Sequence, residues 1–421
     1  MTRSLKVAGI WLAVPLVAAV LVACGSKGTE SSSGSGDNGD IKVGPGVTAT
    51  TIKLGALTDL SGVFAPLAEP LTQANQLYWK QRNAEGGVCD RKVELEIKDH
   101  GYDPQKAVVQ YRDFSADILG LQQLLGSPIT AALLPTLEDD QMIALLSAWP
   151  SSLLSNENII IVGATYDIEM INVLDYLKEK GKLKSGDTIG HLYFEGEYGE
   201  NGLKGSKYFA SENDMKVVEQ KIKATDEDMT GQVAAFKRAG VKAIAVTTAP
   251  TQLASVAGIA AAQGMNVPIV GNNPTYDPAL LKSPAAEAVK ANAFISASIA
   301  PWTLDKGGVQ KVSQEFKAAY PKSVPKASVQ FGWAQAEVMY QILNKACENK
   351  DLTRAGLIKA AHELSGIDTG GLIAGPLDYT QAGQPPTRAV YIARPADVPG
   401  GLKALPDTFE SETAKSYDVA G

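Results

Sequence analysis

The chain has 421 residues, 45% of them hydrophobic, with 46 acidic against 39 basic side chains and a net charge of -7. It has no basic block and no interleaving of basic with aromatic residues, which argues against a nucleic-acid partner, and its mild acidity is an ordinary solubility device. A folded part of about 370 residues exceeds what one core organises and suits two domains.

In chain order, Arg3 and Lys6 precede an apolar run from Gly9 to Val22, and small residues follow. That is the grammar of an export signal. The stop Leu21-Val22-Ala23-Cys24 resembles the lipobox of bacterial lipoproteins. The resemblance implies removal of residues 1–23 and a diacylglyceryl group on the Cys24 thiol. A spanning anchor, for which about eighteen uncharged residues is the short edge, and an ordinary secretory signal are the alternatives. Residues 24–49 are mostly Gly, Ser, Asp and Asn and hold almost nothing large and apolar to bury. Such a segment cannot offset its ordering entropy and reads as a flexible tether.

Thr51 to Leu57 reads as a core strand, Ala65 to Ala84 as a helix closed by Gly86 and Gly87, and Val93 to His100 as a second strand. Asp103 to Asp117 is a helical stretch with Pro104 at its first position. Strand-like runs then fall at 121–125, 142–147 and 159–164, with a helix from Ala131 to Asp140. A second series begins at Asp167: helices at 167–180, 201–211, 228–239 and 251–264 alternate with strands at 188–194, 215–222, 241–248 and 267–271. A long helix, Val329 to Glu348, and a strand, Thr387 to Ala393, close the pattern. Strand alternating with helix predicts two α/β units with parallel sheets.

Open parallel sheets hold ligands beyond the carboxyl ends of their strands. In GSPIT, the hydroxyls of Ser127 and Thr130 and the helix start suit a carboxylate or carbonyl, or merely cap the helix. SAWPSS offers Ser147 and Trp149, the latter a cleft wall or a core tryptophan. Tyr198, in the acidic, glycine-bracketed EGEYGENG, reads as a cleft residue whose loss would cost affinity rather than fold, or else as part of a plain surface turn. TTAPTQ supplies Thr248, and GNNPTYD supplies Asn272, Asn273 and Tyr276, the tyrosine lining the site or packing its own loop.

No metal site and no cofactor are expected. His100, His191 and His362 are scattered, and GxSxG, GxGxxG after a strand and the phosphate-loop pattern are absent. No nucleophile with a base stands out, so an enzyme is not expected. Cys89 and Cys347, the cysteines besides Cys24, invite one disulfide in an exported protein, the alternative being two separate buried thiols.

IKLGALTDLSGVFA, the helix closed by NAEGGV, VELEIKDHGYDPQKAV and EYGENG occur in this order behind the lipobox-like stop. Together they resemble the periplasmic binding proteins of branched-chain amino-acid-type ABC importers, over about Thr51 to Ala393. The resemblance implies a type I periplasmic-binding-protein fold: two Rossmann-like lobes, 50–164 with 296–376 and 165–295 with 377–421, joined by a three-strand hinge. It implies a small-molecule solute captured between lobes that close on it, delivery by a single copy to an ABC permease, and a lipid anchor at the outer face of the cell membrane. It assigns the carboxylate-holding loops of amino-acid binders to 127–130 and 147–151, and the second-lobe tyrosine to Tyr198. An aromatic wall would fall near Leu67, so that wall is aliphatic here. The acid that pairs an ammonium is replaced by Asn272 and Asn273, and an aromatic region by Thr248.

The expected solute is therefore neutral or acidic: an amide, a urea-like compound or a small carboxylic acid. A branched-chain amino acid is the runner-up, with Glu195, Glu197 or Asp277 swinging in to take its ammonium. The second functional reading is a lipoprotein of the same fold that senses a ligand or binds a partner without serving a permease.

Overall fold

A computed structural model describes residues 41–419. The expected signal segment, the expected lipidation site Cys24 and the expected tether as far as residue 40 lie outside the described residues. The first α/β series comprises β1 (Lys42–Val43), β2 (Thr51–Thr58), α1 (Ala65–Ala84), β3 (Lys92–Asp99), α2 (Pro104–Phe114), β4 (Gly120–Leu125), α3 (Ser127–Asp139), β5 (Ala144–Ser147) and β6 (Ile159–Ile161). The second comprises α4 (Tyr166–Glu179), β7 (Thr188–Phe194), α5 (Glu197–Glu212), β8 (Lys216–Ile222), α6 (Thr230–Ala239), β9 (Ala243–Thr247), α7 (Pro250–Ala262), β10 (Ile269–Asn272), α8 (Ala286–Asn292) and β11 (Ala293–Ala297). There follow α9 (Gly307–Ala319), α10 (Ala327–Glu348), β12 (Asp351–Leu352), α11 (Arg354–Ala361), β13 (Tyr391–Pro395), β14 (Leu402–Ala404) and α12 (Glu412–Ser416).

Among the described residues two large sheets result, beside a two-stranded one of β1 with β12. The first lobe has five parallel strands in the order β3-β2-β4-β5-β6. The second has seven, in the order β14-β13-β11-β10-β9-β7-β8, with β13 and β14 antiparallel at one edge. The chain moves from one lobe to the other after β6, after β11 and before β13. Central β4 is buried along its whole length, as expected of a strand covered on both faces.

Local chemistry sets the helix starts. Asp103 accepts the N–H groups of Gln105 and Lys106, and Pro104 follows at the first helical position, where a missing N–H costs nothing. Helices α1 and α10 lie side by side on the first lobe. At Gly332 a Cβ would stand 2.2 Å from the Leu71 carbonyl oxygen, so only glycine allows that approach. Asn75 on α1 donates to Gln335 on α10 at 3.3 Å, within the buried core.

Several boundaries differ from the sequence reading. Helix α3 begins at Ser127 rather than Ala131, because Gly126 makes the turn at φ 104° and Pro128 is tolerated in a first turn. Helix α5 begins at Glu197 rather than Asn201. Residues 42–43 pair in parallel with β12, where the reading extends the tether to residue 49. Cys89 and Cys347 form a disulfide with a Cα–Cα distance of 6.4 Å, linking the turn before β3 to the last turn of α10.

Candidate functional site

The carboxyl ends of β4, β5, β10 and β11 and the starts of α3, α5 and α10 border a cavity between the two sheets. It holds about 1030 Å³ of atom-free space, its open mouth included. Its wall is largely hydrocarbon. Phe64, Leu67, Ala68 and Leu71 come from the entry to α1, Ile295, Ile299 and Pro301 from β11 and the crossing after it, and Phe331 and Leu402 from α10 and β14.

Tyrosines make up much of the remainder. Phe64 meets Tyr102 edge-on at 4.9 Å, and Tyr166 meets Tyr198 at 4.8 Å. Desolvation by burial pushes the phenols of Tyr102, Tyr166 and Tyr198 well above their ordinary pKa, so all three stand as neutral hydroxyls at physiological pH. The only charged side chain that lines the cavity, among the described residues, is Lys326.

Ser127, Ser147, Tyr198, Asn272, Asn273 and Tyr276 line this cavity, as the sequence singles them out. Their polar atoms are unequally free. The Ser147 hydroxyl accepts from Gln335 Nε2 at 3.2 Å. Tyr276 donates to the Gly401 carbonyl at 2.8 Å. The Asn273 backbone N–H donates to the buried Glu169 carboxylate at 2.9 Å, and desolvation raises the pKa of that carboxyl well above the ordinary value. Asn272 Oδ1 accepts from Thr275 at 3.1 Å, whereas Asn272 Nδ2 and the Ser127 hydroxyl have no hydrogen-bond partner. The Ser127 hydroxyl neighbours the Tyr166 phenol. Unmade hydrogen bonds on buried atoms cost about 1–3 kcal/mol each, so these are atoms a ligand can satisfy.

Thr130, Trp149 and Thr248 do not line the cavity. Thr130 Oγ1 donates to the Gly126 carbonyl one turn back at 3.0 Å, which is a helix-start bond. The Thr248 hydroxyl donates to the Ala249 carbonyl at 3.0 Å. Trp149 is fully buried; its indole N–H donates to the Leu146 carbonyl, and its ring backs Phe331 at 4.9 Å and Tyr166 at 6.5 Å. It is a core tryptophan that holds two wall residues in place. Ser151 is likewise turned away, donating to buried Asp167 at 2.6 Å.

Sequence reasoning missed Phe64, Tyr102, Tyr166, Lys326, Ser328 and Phe331. Phe64 sits in the first loop, DLSGVFAP, where the aliphatic Leu67 drew attention instead. Lys326 and Ser328 lie at the start of a helix that the sequence reading begins only at Val329.

Two lobes of mostly parallel sheet with a site enclosed between them define a two-lobed solute-binding protein. The chain belongs to the periplasmic binding protein family, whose model matches residues 51–399. It is 44% identical to the fatty acid ABC transporter substrate-binding protein from Thermomonospora curvata, with a TM-score of 0.87, covering 90% of this chain and 97% of that one. A branched chain amino acid ABC transporter protein from Thermus thermophilus with bound valine shares the fold at 16% identity and a TM-score of 0.76, over 89% and 99% of the two chains. A solute binding protein of an R. palustris ABC transporter in complex with benzoate does so at 18% and 0.70, over 86% and 98%. No curated protein matches the chain. The protein is thus an extracytoplasmic solute-binding protein that works with an ABC permease.

Proposed function

We propose that the solute is a carboxylic acid with a long apolar chain, a fatty acid above all, captured between the lobes and handed to the permease. The observation that carries this reading is the cavity wall, hydrocarbon and tyrosine almost throughout, with one cation and no acid among the described residues that line it. Each methylene that leaves water for such a wall contributes about 0.8 kcal/mol. The 44% identical relative, described as a fatty acid receptor, supports the same chemistry. Ser127, Asn272 and Asn273 then serve as isolated polar points in an apolar sleeve, and Ser147, Tyr198 and Tyr276 as parts of its wall.

A free amino acid fits less well. Its ammonium, desolvated on closure, costs several kcal/mol unless an anion pairs with it. Asp277 is already paired with Lys326 at 2.6 Å, and Glu195 and Glu197 are exposed at the surface. The small amides and ureas expected from the asparagines would leave most of the hydrocarbon wall unfilled. Acylation of Cys24 would keep the receptor beside its permease, since two or more chains give stable anchoring.

A thermal-shift panel of saturated fatty acids, simple amides, urea, benzoate and leucine tests the reading, because binding to the folded form raises its apparent stability. Fatty acids should give the largest shift. A larger shift with leucine or with an amide would refute the assignment.

A further inference from the structure

Resting on the fatty-acid reading, we propose that the carboxylate docks at the start of α10, on Lys326, Ser328 and the first-turn N–H groups, rather than at Ser127. Among the described residues Lys326 is the lone cation on the cavity wall, and its side chain is only 13% exposed. Its ammonium has three donors. Two are engaged, one by Asp277 Oδ2 at 2.6 Å and one by the Pro66 carbonyl at 2.7 Å, which leaves one for a ligand. Ser328 lines the same cavity, is 9% exposed, and its hydroxyl has no hydrogen-bond partner.

The helix adds to this. The first N–H groups of a helix have no intrahelical acceptor; in α10 that of Val329 turns back to the Lys326 carbonyl at 3.2 Å, which leaves those of Ala327 and Ser328. No side chain caps α10, and its 22 residues aim the positive end of their dipole at this point. The start of α3 is a poorer anion site: Pro128 has no N–H, and among the described residues that line the cavity no cation stands beside it. A carboxylate at Lys326 would share the ammonium with Asp277, and the helix start would offset the second negative charge. Lys326 belongs to the first lobe and Asp277 to the second, so the head group joins a contact that already ties the lobes together.

The test is calorimetric binding of dodecanoate and dodecan-1-ol, which differ only at the head group. Wild-type protein should prefer the acid by about tenfold or more, as loss of a charge-assisted contact implies. Lys326→Met should cost the acid about that factor and leave the alcohol within about threefold, with Lys326→Arg restoring much of the preference. Asp277→Asn, which frees the ammonium, should keep or strengthen the acid preference; equal losses in D277N and K326M for both ligands would make Lys326 a latch between lobes and overturn the proposal. It is also overturned if K326M keeps the preference, or if Ser127→Ala abolishes it. Wild-type protein that binds both ligands equally sinks this inference alone. Wild-type protein that binds neither removes the fatty-acid reading, and this inference with it.

Discussion

Tyr198 Oη lies 3.2 Å from Asn272 Oδ1 and donates to the Thr248 carbonyl at 3.0 Å, so the first turn of α5 is tied to the ends of β9 and β10 behind the cavity surface. The ring forms wall while the hydroxyl points back into the second lobe. Tyr198→Phe should therefore cost about 1 kcal/mol of stability and leave fatty-acid affinity within about threefold. Tyr198→Ala, which vacates a side chain only 4% exposed, should cost about 3–5 kcal/mol. The sequence reading, with Tyr198 lining a cleft, expects the reverse of Tyr198→Ala: affinity lost and the fold nearly untouched. Denaturant melts of both variants beside their binding curves separate the two.

The Cys89–Cys347 bridge spans 258 residues of sequence. Chain-entropy arithmetic for so long a loop gives about 5.5 kcal/mol as an upper figure. Cys89→Ser with Cys347→Ser, or reduction of the wild type, should lower the denaturation midpoint without changing the fatty-acid preference, because the bridge lies at the opposite end of the 22-residue α10 from Lys326. Thiol titration of unfolded, unreduced protein should find neither cysteine reactive.

Buried His191 predicts a pH effect. Its Nδ1 is 2.8 Å from the Ser206 hydroxyl and its Nε2 3.0 Å from the Thr247 hydroxyl. Desolvation pushes its pKa from 6.5 down to about 3. Between those values the unfolded chain binds a proton that the folded chain refuses, so stability is full above pH 6.5 and declines as pH falls toward 3. His191→Gln removes that proton site. Between pH 7 and pH 4 the wild type should lose more stability than H191Q, by up to about 3 kcal/mol. Parallel pH profiles would show that His191 does not titrate as argued.

The fold was largely legible because alternation of short apolar strands with longer helical patterns survives in a single sequence. Thr51 to Leu57 and Val93 to His100 read as strands, and strands run Thr51–Thr58 and Lys92–Asp99. EGEYGENG misled for a physical reason. Its glycines suggest a loop, yet a Cβ on Gly199 would stand 1.9 Å from the Phe194 carbonyl oxygen, and one on Gly202 would stand 2.3 Å from Thr247 Oγ1. Gly199 and Gly202 are small because α5 presses on β7 and β9, and Gly196 alone, at φ 96°, serves a turn. The polar loops of the site were visible as strand-end segments. Its apolar wall was not, since Leu71, Ile299, Phe331 and Leu402 lie far apart in sequence and meet only after the chain has crossed between lobes.

Anchoring gives a fourth prediction. Cys24→Ala should move the protein from the membrane fraction to the soluble fraction or leave its signal segment uncut, and the mature wild type should lack residues 1–23 by intact mass. Wild-type protein that keeps residues 1–23 and takes up no labelled lipid would speak for a spanning anchor.

The central claim is that an apolar chain fills the cavity, and its most direct test is the affinity of the delipidated protein for a series of saturated acids from butanoate to hexadecanoate. Binding free energy should strengthen with each added methylene, by up to about 0.8 kcal/mol, until the cavity is full, and then level off. An affinity that is flat across the series, or tightest for the shortest acid, would contradict the account.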